Sequence, residues 1–219
     1  MILDLHVHTS VGSADSIIDP EDIVEIARQA GLDGVCITEH GVSKSELAEK
    51  LSQKNDFLVL SGIEATTDLG DILIFGVDSY PRTIIEAQEL HRFVRKAGGV
   101  MIAAHPFRSE LTDGHHAANL TLEVASRRPL FQLVDAVEVA NGWSSERDVE
   151  FCRQLGERLE LGQTGGSDAH MSKQIGCCVT IFSADIRSEA DLIRELKRGQ
   201  CRAVDRRSRE QKESAYWIS

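Results

Sequence analysis

Hydrophobic and polar positions follow two periods in turn along this chain. Short apolar runs at 2–7, 34–38, 57–60, 71–77, 100–104, 136–139, 161–164 and 179–182 read as strands. Between them lie stretches with helical spacing. Ile23, Ile26, Ala27 and Ala30 form one apolar stripe, and Ile84, Ala87, Leu90 and Val94 form another within 83–97. Shorter helices are expected from Ser43 or Ser45 to Leu51, and over 188–197. Asp19-Pro20-Glu21-Asp22 is a helix start, with a cap, a proline at the first helical position and acids in the first turn. Gly31 and Gly98-Gly99 are the matching stops. Strand and helix alternate throughout, which predicts an α/β fold.

The strands run into chemistry. His6 and His8 close the first, and Glu39-His40 follow the second. Gly62-Ile63-Glu64, His105-Pro106, Asn141-Gly142 and Gly165-Gly166-Ser167-Asp168-Ala169-His170 end later ones. Side chains alternate along a strand, so His6 and His8 share a face. With Asp15, these imidazoles and carboxylates form a ligand set without cysteine, as in a hydrolytic metal centre. If the strands close into a barrel, the ligands gather on its C-terminal rim. Gly165-Gly166 would let the backbone approach the ions.

Other residues read less sharply. His91 belongs to a helical pattern as a surface or packing residue, and Asp4 and Asp33 flank strands. Arg108 can clamp a phosphate or form a surface ion pair. Trp143 can stack on a base or cover the barrel edge, and Asn141 can serve the site or a turn. The irregular connection near 108–119, with His115-His116, reads as an active-site lid, and 111–122 is expected to shape substrate choice.

Composition narrows the class. The chain has 219 residues, 42% hydrophobic and 27% charged, enough for one well-buried domain. No apolar run is long enough to cross a bilayer, and no charged-then-apolar leader opens the chain, so a cytoplasmic protein without membrane contact is expected. Five scattered cysteines form no CxxC pair and fit a reducing compartment. A net charge of −11 argues against stable duplex DNA binding. The basic tail, Arg202, Arg206, Arg207, Arg209 and Lys212, reads as a solvated terminus or a phosphate-contacting segment.

The segments His6-Val7-His8-Thr9, Asp15 to Asp22, Ile37-Thr38-Glu39-His40, Gly62-Ile63-Glu64, Ala104-His105-Pro106 and Gly166-Ser167-Asp168-Ala169-His170 occur in an order that resembles the PHP (polymerase and histidinol phosphatase) family, over about the whole chain. The resemblance implies a distorted (β/α)7 barrel, a single PHP-type domain over 1–219 in which 179–219 completes the barrel. It also implies two or three divalent ions (manganese, zinc or iron) at the rim. By position, His6, His8, Glu64 and Asp168 would hold the first, Glu64 and His105 the second, and Asp15, His40 and His170 the third. Two residues depart from the family pattern. Glu39 stands where an aspartate is usual, outside the ligand set. Asp71 stands where many members place a histidine, either hardening the second position toward manganese or leaving it incomplete.

The function implied is hydrolysis of a phosphate ester by a metal-activated hydroxide. Glu64, Arg108 and His170 are the catalytic candidates, and the sequence leaves open which group protonates the leaving oxygen. Phosphorylated small molecules, nucleotides or a single-stranded nucleic-acid end are the expected substrates. The alternatives are C–N bond hydrolysis, for which no lysine stands at a convincing strand end, and a non-catalytic domain stabilised by metal.

Overall fold

The computed structural model describes residues 1–81, 86–108, 110, 111 and 120–208. Nine strands form one sheet: β1 (Ile2–Val7), β2 (Gly34–His40), β3 (Leu58–Thr67), β4 (Gly70–Phe75), β5 (Val100–Ala103), β6 (Ala136–Asn141), β7 (Gly162–Gly166), β8 (Cys178–Phe182) and β9 (Cys201–Asp205). Their order is β7-β6-β5-β4-β3-β2-β1-β8-β9. β1, β2, β3, β5, β6 and β7 run one way; β4 and β8 run against them. β7 returns beside β8, where Gly165 and Thr180 Oγ1 exchange hydrogen bonds of 2.8 Å. At the rim it also returns to β1, through His8 N–H to Ala169 O at 3.0 Å. The sheet is therefore a nearly closed α/β barrel. Its distortion lies in the two antiparallel strands.

The helices are α1 (Ile23–Gln29), α2 (Ser45–Asn55), α3 (Ala87–Ala97), α4 (Leu122–Ser126), α5 (Glu146–Leu159) and α6 (Glu189–Arg198). Pro20–Asp22 is a 3-10 turn ahead of α1, capped by the Asp19 side chain on Glu21 N–H at 2.9 Å. Gly31 follows α1 with φ +67°, the left-handed conformation that glycine adopts freely. α3 begins at Ala87; of its expected first turn, 82–85 lie outside the described residues. α4, α5 and β9 were not expected. α5 has a capping box between Ser145 and Asp148 that is visible in the sequence.

Three apolar clusters explain the layers. One takes Leu3, Leu5, Cys36, Leu60, Leu73, Ile102 and Ala136 from successive strands and fills the barrel, closed below by Leu192 and Leu196 of α6. Val35, Ile37 and Val59, the alternate residues, pack outward on α1 and α2. Ile72, Ile74 and Met101 do the same under α3.

β1 departs from simple alternation. Asp4 pairs with Val35 but Val7 pairs with Ile37, so β1 carries one extra residue. Before this bulge Leu3 and Leu5 face the barrel interior; after it Val7 joins the outer layer. The freed His6 N–H goes to Asp4 Oδ1 at 3.3 Å, and Val7 N–H to Thr38 Oγ1 at 3.2 Å. The bulge turns His6 and His8 over the mouth. β6 repeats the device between Glu138 and Ala140.

Candidate metal centre

Every ligand candidate except Asp15, which lies in the loop after β1, comes from a strand or its end. His6 and His8 flank the end of β1, His40 ends β2, Glu64 lies in β3 and His105 follows β5. Asp168 and His170 follow β7. Asp71, at the start of antiparallel β4, reaches the same rim because β4 runs downward from it.

The innermost group is fully buried. His6 Nε2 and His8 Nε2 face each other at 3.1 Å, and Asp168 Oδ1 lies 3.4 and 3.2 Å from them. Glu64 adds Oε1 at 3.4 Å from His6 and Oε2 at 3.3 Å from His8. Four donors at about 2.0–2.1 Å from one ion stand about 3.4 Å apart. The set matches that spacing, and buried Glu64 Oε2 makes no well-formed hydrogen bond, even to His40 Nδ1 at 2.9 Å. Its residues fit a divalent cation.

Glu64 reaches further. Its Oε1 lies 3.0 Å from His105 Nε2 and its Oε2 2.9 Å from His40 Nδ1. Ligand atoms of Glu64, Asp71 and His105 fall within 4.8 Å of one another, which gives Asp71 a place in a second group. On the outside, Asp15 Oδ2 sits 3.4 Å from His40 Nε2 and 3.3 Å from His170 Nε2. Exposure rises outward, from 0% at His6 to 44% at His40 and 61% at Asp15.

The electrostatics call for positive charge. Burial pushes the Glu64 carboxyl up, but His6, His105 and His40 hold it well below the usual carboxylate range. Asp168 is held down in the same way against its burial, by His6, His8 and Arg108. Burial lowers His6, yet Asp168, Glu138 and Glu64 raise it well above an ordinary imidazole. His8, by contrast, is lowered by burial.

A supporting layer fixes the ligands. Glu138 Oε1 accepts from His6 Nδ1 at 3.0 Å, leaving Nε2 free for an ion. Glu138 Oε2 accepts from His105 N–H at 2.9 Å and Asn141 Nδ2 at 3.0 Å. Asn141 thus touches the site and also makes a turn, its Oδ1 accepting from Trp143 N–H at 2.9 Å and its backbone O from Ser144 N–H at 3.1 Å. The role of Glu138 was missed, although it opens the Glu138-Val139-Ala140-Asn141 segment. Glu39 accepts from Thr9 N–H, Thr9 Oγ1 and Ser13 Oγ, and Ser13 Oγ contacts His8 Nδ1 at 3.0 Å. Glu39 therefore orients His8 through Ser13. His105 and Asp168 adopt φ of +29° and +52°, unusual for side-chain-bearing residues.

Arg108 Nη2 donates to Asp168 Oδ2 and, at 2.9 Å, to Asn141 Oδ1, while its buried Nε has no partner. Trp143 donates its indole N–H to Asp168 O at 2.9 Å and meets the His170 ring edge-on.

Several expectations are corrected. Gly166 is needed because a Cβ there would stand 2.7 Å from Glu138 Oε1 and 3.0 Å from His6 N, a close approach to the supporting layer rather than to ions. Arg207 is no solvated tail residue. It is buried, paired with Asp205, and donates to Gly142 O at 2.9 Å and Ser144 O at 2.7 Å, bracketing Trp143. Asp4 is buried on the outer face of β1, accepts from Ser167 N–H and Gly176 N–H, and is pushed up to about 6 by burial. His91 is a packing residue as expected, bonded to Leu133 O, and Asp33 flanks β2 as expected, accepting from Ile2 N–H. His115, His116, most of the expected lid, Arg209 and Lys212 lie outside the described residues.

Residues 150–201 match the model of the PHP-associated family. The fold is similar to that of a two-domain protein from Bacteroides vulgatus containing a predicted PHP-like metal-dependent phosphoesterase. That likeness has a TM-score of 0.71 at 21% identity and covers 99% of this chain and 69% of the other. The fold is that of a PHP barrel. Its PHP barrel is also similar to an amidohydrolase from Chromobacterium violaceum, solved with bound sulfate and no metal. There the TM-score is 0.65 at 15% identity, over 95% of this chain and 99% of that one. An uncharacterised protein of Methanocaldococcus jannaschii is 27% identical over 118 residues, covering 49% of this chain and 68% of the relative.

Proposed function

We propose that this PHP domain is a metal-dependent phosphoesterase acting on a small phosphomonoester, a nucleotide or a nucleic-acid end. The convergence of His6, His8, Glu64 and Asp168 at ion-binding spacing carries the reading. Divalent ions at such a site polarise a phosphoryl group and lower the pKa of water from 15.7 toward about 7.

The chain's own residues supply the rest. Glu64 is shared between the inner His6–His8 pair and His105, and so sets the spacing of the two positions. Asp71 brings a second carboxylate to the His105 position, which favours manganese over softer ions there. The unpartnered Nε of Arg108 is the donor available for a phosphoryl oxygen. His170, only partly buried at the outer edge, is placed to hold a proton for the leaving oxygen.

C–N hydrolysis would call for a bridging lysine. Glu64 occupies that place, and among the described residues no lysine takes part in the site's polar contacts. No described helix is long and apolar enough to cross a membrane, and all five cysteines are free, which suits the cytoplasmic setting we propose.

The test is phosphate release from phosphomonoesters, nucleotides and short oligonucleotides with Mn²⁺- or Zn²⁺-loaded protein. Metal-dependent turnover is expected, falling at least about 10³-fold in Glu64→Gln. Absence of phosphate release from metal-loaded protein across the panel overturns the reading.

A further inference from the structure

Beside the metal centre lies a cleft of about 460 Å³. Its near end is formed by His105, Asp71 and Arg108, its far end by Arg128 and Glu110, over an apolar floor of Leu69, Pro106 and Leu130. That volume lies inside the range of about 300–1,000 Å³ usual for small-molecule pockets.

The far end is flat. Arg128 Nη1 and Nη2 donate to Glu110 Oε1 and Oε2 at 2.9 and 2.6 Å, a fork-to-fork pair that holds the two groups near one plane. One face of the guanidinium rests on Phe107, its carbon 5.0 Å from the ring centroid. Phe107 is fully buried and held by Phe131 at 5.8 Å and Phe151 at 4.9 Å. The stack beneath Arg128 is therefore rigid. The Arg128 side chain stays 35% exposed and borders the cleft.

Charge restricts what can lie there. Glu110 already neutralises Arg128, and Asp68 and Asp71 add negative charge to the wall. A second anionic group is disfavoured. A flat, uncharged group gains from the guanidinium plane.

We propose that this cleft is the leaving-group subsite of the phosphoesterase, and that it binds an uncharged planar aromatic group stacked on Arg128. This specificity rests on the function proposed above, so one arm of the test avoids catalysis. Binding of adenosine, which carries no phosphate, is measured by calorimetry on the metal-loaded protein. A guanidinium against an aromatic face is worth about 0.5–2 kcal/mol, or about 2- to 30-fold. Arg128→Leu should therefore weaken adenosine binding about 2- to 30-fold. In the kinetic arm, the ratio of kcat/KM for p-nitrophenyl phosphate to that for glycerol 2-phosphate should fall by a similar factor in Arg128→Leu. Should that variant unfold, Arg128→Lys carries both arms, because an ammonium keeps the charge but offers no plane. Adenosine binding that is absent, or equal in wild type and variants, overturns the subsite. So does an unchanged kinetic ratio. Arg128-dependent adenosine binding without any phosphate release upholds the subsite and overturns the phosphoesterase reading.

Discussion

The Glu138 carboxylate accepts three hydrogen bonds, and each fixes a different neighbour. One sets the tautomer of His6, one holds the left-handed backbone of His105, and one orients Asn141. Glu138→Gln keeps the shape but puts an amide donor where an acceptor is needed. Second-layer changes of this kind cost about 10- to 100-fold in metal affinity. We expect a loss in that range for Mn²⁺, read by competition with a chromogenic chelator, with the melting temperature of the metal-free protein little changed. An equal affinity would show that His6 and His105 need no such support. At this scale most of the site was legible, since histidines at strand ends are conspicuous. Glu138, Ser13 and Glu39 were not, because a carboxylate that binds other side chains has no spacing signature of its own.

At the scale of elements, α6 plugs the lower end of the barrel, and its first residue, Glu189, accepts from Gly76 N–H at 2.9 Å. Burial raises the Glu189 carboxyl above its ordinary 4.5. A group raised in the folded state favours folding below its unfolded pKa, and that contribution is lost as pH rises through the folded value. Wild type should thus lose stability relative to Glu189→Gln between pH 4 and pH 7, measured by urea unfolding at both. A constant difference would show that the carboxyl titrates normally. Arg207 joins another pair of elements, tying the segment after β9 to the loop that carries Trp143. Arg207→Ala takes the donor from the Gly142 and Ser144 carbonyls and removes the ion pair with Asp205, a loss of about 3 kcal/mol. In a Trp217→Phe background Trp143 is the remaining tryptophan, and its emission should shift to the red when Arg207 is truncated. Unchanged emission would mean the loop stands without it. The helices with stops and stripes were legible here. α5 was less legible despite its capping box, because charged residues interrupt its apolar positions, Val149, Cys152 and Leu155. β9 hides in an arginine-rich stretch that reads as a tail.

At the scale of the whole molecule, the ligand set spans positions 6 to 170 and draws on six of the nine strands. Such a centre exists only when the barrel is closed, so ion binding and folding are linked. At a free ion concentration of about 100 times Kd, one site adds about 2.7 kcal/mol, or about 5–10 °C in melting temperature for a chain of this size. Differential scanning calorimetry with and without Mn²⁺ checks this; coincident transitions would argue against an inner, buried site. The α/β class was legible from alternation, and the barrel from the resemblance to the PHP family. Its two antiparallel strands were not, because the direction of a strand leaves no mark in its hydrophobic pattern.

Two strands, β1 and β6, are each one residue longer than their neighbours require. A substitution at Leu5 would disturb only the packing inside the barrel. On a ladder that ran unbroken from Asp4 with every residue kept, His6 would stand opposite Ile37 and swing toward α1 with His8, while Val7 took the mouth. The extra residue is what lets two consecutive side chains, Leu5 and His6, face inward, so that a single strand serves both the core and the centre.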